Sequence, residues 1–394
     1  MKTRKSFQFN FTSSFRNARR STARAIPCLA LCMLGLGLSA MAQQPLIITF
    51  DVPGAGTGAG QGTYAYSVND RRAITGWYVD GGWVSHGFLR APDGTITTFD
   101  APGAGTVSPE GTVAYMINRP GWIVGYFEDS NQLLHGFLRA PDGTFITVNA
   151  PGAGTVTGPS SWWGPEGTDL GAINTAGWSV GVYEDTSLVL HSFLRAPDGK
   201  ITEFNVPGAG TGAGQGTFTA IDSGISAGGT IAGEYLDTNN LWHSFVRAPD
   251  GTVTEYHIQG SVQGDEASDI SPLGAIVGWY YDSDGVGHGY LRAPDGAITT
   301  FEYPGAGTGA GQGTLGFSVN DSGLITGQYI GPDGAGHGYL RTRDGNFIPF
   351  DAPGAGTGSG QGTVPIFINS AGAITGYYID EGNVVHGFLR LAAP

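Results

Sequence analysis

The chain has 394 residues, of which 13% are charged and 68 are glycine, a formal net charge of −14. An ordinary soluble domain carries roughly 25% charged residues and about 7% glycine. A hydrophobic fraction of 40%, with 11% aromatic residues, still supplies a large core, which excludes collagen-like and intrinsically disordered chains.

Residues 1–42 differ from everything after them. They hold seven basic residues (Lys2, Arg4, Lys5, Arg16, Arg19, Arg20 and Arg24) and no acid. An uncharged apolar run, Ala25 to Leu38, leads to Ala40-Met41-Ala42, which together read as an export signal peptide with an A-x-A cleavage site. The run is shorter than the roughly 20 residues of a membrane span, leaving an uncleaved anchor as the alternative. Arg19-Arg20 hints at twin-arginine export, but Ser21-Thr22 follows where apolar residues are expected. Cleavage would remove both cysteines, Cys28 and Cys32. It would leave 12 basic against 33 acidic residues, a net charge of −21. Such a charge repels phosphate backbones, so no nucleic-acid partner is expected. No later segment reads as a membrane span.

From residue 43 onward the chain reads as a single domain of seven repeats, 43–394. The string His-Gly-Phe-Leu-Arg at His86 returns at His135, His191, His243, His288, His337 and His386, at spacings of 49, 56, 52, 45, 49 and 49. Each string but the last runs into a turn, usually Ala-Pro-Asp-Gly. Four strand-like segments fall in the first unit: Thr63 to Asn69, Ala73 to Val79, Ser85 to Ala91 and Thr95 to Ala101. Seven units of four strands predict an all-β, seven-bladed β-propeller, with a β-solenoid as the alternative. An unpaired strand, Leu46 to Val52, precedes the first unit, and the last unit stops after three strands. The orphan is therefore expected to complete the last blade and close the ring. Loops such as Pro53 to Thr57 are expected to cross from an outermost strand to the next innermost one, and Pro365 suits an innermost strand whose channel edge can lack a donor.

The unit Val-Asn-x-x-x-Ala-Ile-Thr-Gly-Trp-Tyr…His-Gly-Phe-Leu-Arg-x-x-Asp-Gly resembles the HAF-type extracellular repeat of exported bacterial proteins. Its asparagine recurs as Asn69, Asn118, Asn174, Asn320 and Asn369 and is replaced by Ser226 and Ser271. Arginine stands where that family often has tryptophan. The resemblance spans nearly all of 43–394. It implies export and repeat architecture, and it carries no catalytic residue over.

Several residue sets compete as functional sites. Seven equivalent mid-blade histidines cannot converge on one ion within the roughly 2.1 Å that zinc requires, so a buried structural hydrogen bond in each blade is expected instead. The glycine loops lack the lysine and the spacing of a phosphate cradle. Loops between second and third strands carry Asp80, Glu128, Asp129, Glu184, Asp185, Asp237, Asp282, Asp284, Asp333, Asp380 and Glu381, with Trp83 and Trp242 among them. Such a rim offers oxygen ligands to calcium, Asp282 and Asp284 being half of a calcium-loop pattern. The third unit inserts Thr157 to Pro165, including Trp162 and Trp163. The fifth loses Pro-Gly-Ala-Gly-Thr and carries His257, Gln259, Gln263, Asp265, Glu266 and Asp269. Tryptophan beside carboxylates and amides is a common grip on a sugar ring.

These features predict a secreted or periplasmic, non-enzymatic binding propeller, monomeric, with a carbohydrate or cell-surface glycan on the loop face. The ligand residues are expected to be Trp162, Trp163, His257, Gln259, Asp265, Glu266, Trp83 and Trp242. A protein-interaction scaffold at the cell surface is one alternative. An exported hydrolase or lyase built on His257, Asp265 and Glu266 is the other.

Overall fold

The computed structural model describes residues 45–155, 166–219, 224–262 and 264–392, and all regular secondary structure among them is β-strand. None of these residues forms a helix long and apolar enough to cross a membrane. Residues 1–42, Trp162, Trp163 and Gln263, for which the sequence raised expectations, lie outside the described residues.

The first unit is an antiparallel meander of four strands, Gly62–Val68, Ile74–Val79, Ser85–Arg90 and Ile96–Phe99. The expected segments overran these strands by a residue or two. The overrun residues close turns instead: the Asn69 amide donates to the Ala73 carbonyl, and the Ala91 amide to the Thr95 carbonyl. Corresponding first strands begin the later units at Gly111–Ile117, Gly167–Ile173, Asp265–Ile270, Gly313–Val319 and Gly362–Ile368. In the fourth unit the first strand is split into Gly216–Phe218 and Gly224–Ile225.

The seventh unit supplies only three strands of its own, ending in Val385–Arg390. The strand Ile47–Phe50 pairs with that last strand, Ile47 opposite Arg390 and Phe50 opposite Gly387. One parallel bridge ties each first strand but that of the fifth unit to the third strand before it, as Gly111 to Ser85, and Gly62 does the same with Val385. First strands touch one another in chain order, and the seventh touches the first. Pro365 lies in a first strand, beside the irregularity between Pro365 and Phe367.

Side-chain amides reinforce this order. Asn69 Nδ2 donates to the Asn118 carbonyl, Asn118 to Asn174, Asn174 to Ser226, Asn320 to Asn369 and Asn369 to Asn69, all at 2.9–3.1 Å. The same side chains fold their own turns, Asn69 Oδ1 accepting the amides of Arg71 and Ala73. A serine has no amide to reach the next unit, so Ser226 and Ser271 keep only the local bond, from the amides of Thr230 and Ala275.

Each unit centres on one aromatic ring from its third strand. Phe88, Phe137, Phe193, Phe245, Tyr290, Tyr339 and Phe388 are all fully buried, and burying such a side chain contributes about 1.5–3 kcal/mol. Close approach of the strands explains the glycine midway along every second strand: a Cβ on Gly76 would lie 2.0 Å from the Tyr64 carbonyl oxygen.

Candidate binding site

In five units the repeated histidine clamps two elements at the glycine-loop end. His86 stacks on Tyr78 with ring centroids 4.9 Å apart, its Nδ1 is 2.9 Å from Asp100 of the outer strand's end, and its Nε2 is 3.6 Å from Asp80 of the turn after the second strand. His135, His191, His288 and His386 repeat the double contact, with Asn149, Asn205, Glu302 and Asp51 on the outer side. His337 reaches Asp351 at 3.0 Å, and glycine (Gly331) stands where the other units have the turn aspartate. These rings are half-buried, not the buried bonds expected, because the turn and outer strand they join are both at the surface.

That clamp also accounts for the acidic rim. Asp80 Oδ1 accepts the amides of Gly82 and Val84, which folds the turn, while Oδ2 faces His86. Asp282 does the same with the amides of Asp284 and Val286 and with His288 Nε2 at 3.1 Å. These bonds hold the Asp80 and Asp282 carboxyls below the usual range; for Asp282 the Val286 amide weighs most, while for Asp80 the amides of Val84 and Gly82 and His86 outweigh an opposing desolvation. Among the described residues no three His, Cys, Asp or Glu side chains converge as a metal site. Asp282, which the sequence offered with Asp284 to calcium, is bonded within its own turn and to His288. Glu128 and Glu184 are not rim residues either; they end second strands and are 2% exposed.

The other expected ligand residues separate. Trp83 is exposed at a turn tip with a left-handed backbone, φ 65°. Trp242 lies on no loop: it opens a third strand, Trp242–Arg247, part-buried with its ring 6.1 Å from Phe218. Gln259 is exposed on its loop. His257 and Asp265 do meet, at 2.9 Å, yet Asp265 is fully buried in a first strand and accepts the Ile258 amide. Six other units place threonine there for the same bond, Thr63 Oγ1 accepting from Val52 and Thr112 from Ala101. Asp265 is a threonine substitute. His257 sits where the other units have the acid or amide that faces the repeated histidine, and the register pairing Ser244 with Tyr256 carries it opposite His243. The pair is therefore built from repeat positions, and Glu266 points to the other strand face.

Positions that break the repeat gather elsewhere. The first-strand positions equivalent to Tyr64 and Tyr66 read Val113 and Tyr115, Asp169 and Gly171, Phe218 alone among the described residues of the fourth unit, Glu266 and Ser268, Leu315 and Phe317, Val364 and Ile366. Their neighbours on the second strands vary likewise: Trp77, Tyr126, Val182, Glu234, Trp279, Gln328 and Tyr377. About half of these residues, Tyr64, Tyr66, Trp77, Tyr126 and Glu266 among them, are part-exposed although they sit on inner strands. At the opposite end of the same strands, residues of all seven units border a cavity of about 140 Å³ where the asparagines converge.

Two chemistries face each other around these strands. Tyr64 stacks on Trp77 at 5.1 Å and 3°, and the contact series continues through Tyr66, Tyr115 and Tyr126 at 5.5–6.0 Å, with Tyr377 5.2 Å from Tyr64. Tyr64 Oη donates to the Gly60 carbonyl, placing this wall at the glycine-loop end. Beyond Tyr115 the wall turns acidic with Asp169, Glu234 and Glu266, while Asp269 borders the cavity at the opposite end. Burial pushes the Asp169 carboxyl up to about 7 and that of Asp269 to about 6, the latter although Ser318 Oγ and the Val319 amide bond it at 2.7 and 3.1 Å. Burial, and next the Asp169 charge, push the Tyr115 hydroxyl up. Glu234 Oε1 accepts the Ala267 amide at 2.6 Å.

No family model and no curated protein matches this chain. Similar solved structures include the BP39L lectin from Burkholderia pseudomallei, at 11% identity and a TM-score of 0.49, covering 86% of this chain and 97% of that one. TolB from Acinetobacter baumannii is similar at 10% identity and a TM-score of 0.42, over 74% and 64%. AofleA from Arthrobotrys oligospora follows at 13% and 0.41, over 68% and 79%. What this chain binds is read from its own residues.

The aromatic wall was missed by reading the sequence for loops. Its signal was present: Tyr64-Ala65-Tyr66 and Trp77 interrupt strands whose other positions repeat almost without change.

Proposed function

We propose that the seven meanders are blades of a β-propeller closed by Ile47–Phe50, exported after loss of residues 1–42, that binds a carbohydrate among its first strands. The observation carrying this reading is the part-exposed Tyr64–Trp77 stack on the wall that continues into Asp169. Sugar rings present apolar C–H faces to aromatic planes and hydroxyls to carboxylates, and such a wall supplies both. Export suits a chain whose two cysteines lie in residues 1–42 and which then relies on packing alone.

Glycan-array binding by the purified protein tests the reading, repeated with Trp77→Ala. Specific signal in the parent and at least a tenfold loss in the variant, with an unchanged melting transition, is the expected result. Full binding by Trp77→Ala would remove the wall from the site.

A further inference from the structure

The walls of this site are charged in one sense only. Every formally charged side chain on the described first and second strands is a carboxylate, and none is Lys, Arg or His. Asp169 departs furthest from the repeat, standing where the first unit has Tyr64. Its neighbours fix its direction. Thr168 Oγ1 accepts the Ala150 amide, and Leu170 packs in an apolar cluster with Phe193, so alternation along the strand turns Asp169 to the opposite face, the one that carries Tyr115 in the preceding unit. Asp169 is 4% exposed, and its Oδ1 has no hydrogen-bond partner among the described residues. A buried carboxylate oxygen without a donor is costly unless something supplies one. Glu266, at the equivalent third position of the fifth unit, is part-exposed.

Building on the carbohydrate reading, we propose that the occupant is a cationic sugar, a hexosamine residue carrying a free protonated amine. One ring of the sugar chain lies on the Tyr64–Trp77 wall, and a protonated amine further along it turns to the buried, unpartnered oxygen of Asp169 beside Tyr115, with Glu266 adding to the negative field. An ammonium gains from both partners at once, a charge-assisted hydrogen bond and attraction to flanking aromatic faces. An N-acetylated residue has no charge to offer the same oxygen.

The test is a calorimetric titration of the full protein with three probes: a glucosamine oligomer, the N-acetylglucosamine oligomer of the same length, and spermidine. The glucosamine oligomer is expected to bind at least tenfold more tightly than the other two, and Asp169→Asn to abolish that preference. Because Asp169 is buried, Glu266→Gln serves as a second variant, expected to reduce the preference by several-fold, with melting curves recorded for both. Equal binding of the acetylated oligomer overturns the amine assignment and leaves the carbohydrate reading standing. Spermidine binding as tightly as the glucosamine oligomer also overturns it, since charge alone would then suffice. Preference unchanged in both variants overturns the role of the acidic wall, and no binding by either sugar overturns the carbohydrate reading itself.

Discussion

The outer half of each unit and its inner strand obey different rules. On the third strand a His-Gly-Phe-Leu-Arg-like string recurs seven times, and most copies do the same work: a histidine clamps a turn to the outer strand, an aromatic ring fills the core in all seven, and an arginine lies over an outer-strand ring, as Arg90 does at 4.9 Å from Phe50. On the inner strand the second residue is constant in role, threonine or Asp265, while the third and fifth differ from unit to unit. Packing against two neighbouring units dictates the outer string. The third and fifth inner residues face no such demand, so they can differ without loss of fold. In a chain built from copies, the positions that stop being copies show where binding is decided.

Breaking the repeated half should cost most. Phe388→Ala empties a fully buried ring position and is expected to lower unfolding free energy by about 3–5 kcal/mol in denaturant titration. A loss under 1 kcal/mol would mean the seventh unit is not packed as described. Next come the amides between units. Asn118→Ala removes the bond to the Asn174 carbonyl and two turn bonds, an expected loss of about 1–3 kcal/mol. Ser226→Asn should recover part of one missing link, and no gain in that variant would contradict the chain of amides.

The inner wall predicts a pH signature that the outer strings do not. Asp169 titrates at about 7 when folded, against an ordinary 3.8. The folded state therefore holds its proton more tightly, and this contribution is fully present below pH 4 and is lost as pH rises through 7. The slope is at most about 1.4 kcal/mol per pH unit for one group. Asp169→Asn should flatten that part of the stability profile between pH 4 and 7, and an unchanged profile would place Asp169 in a more solvated site. Turn carboxylates such as Asp80 and Asp380, held low, act in the opposite sense and only as pH falls below about 4. Smallest of all, His86→Gln should cost roughly 1 kcal/mol or less, since the clamp is half-exposed. A loss as large as that of Phe388→Ala would make the histidines core elements.

Much of this fold is legible in the sequence because the repeat is read seven times over. Ala-Pro-Asp-Gly turns, alternation along Tyr64 to Val68 and the orphan strand before the first unit each pointed to what is found, down to the pairing of Ile47–Phe50 with Val385–Arg390. The site was less legible. Asp265 and Glu266 look alike in sequence, yet one replaces a buried threonine and the other lines the wall, a difference set by strand parity. His257 looks like a catalytic residue until its register shows it standing in for an outer-strand acid. Acidic turns such as Asp80 to Val84 suggested cation binding because their amide bonds cannot be read without the turn conformation.

The most direct test of the central claim is a structure of the protein with a bound glucosamine oligomer. The account predicts one sugar ring against Tyr64 and Trp77 and an amine further along the chain at Asp169. A sugar seated instead on the rim, against Trp83 and the Asp80 turn, would contradict it.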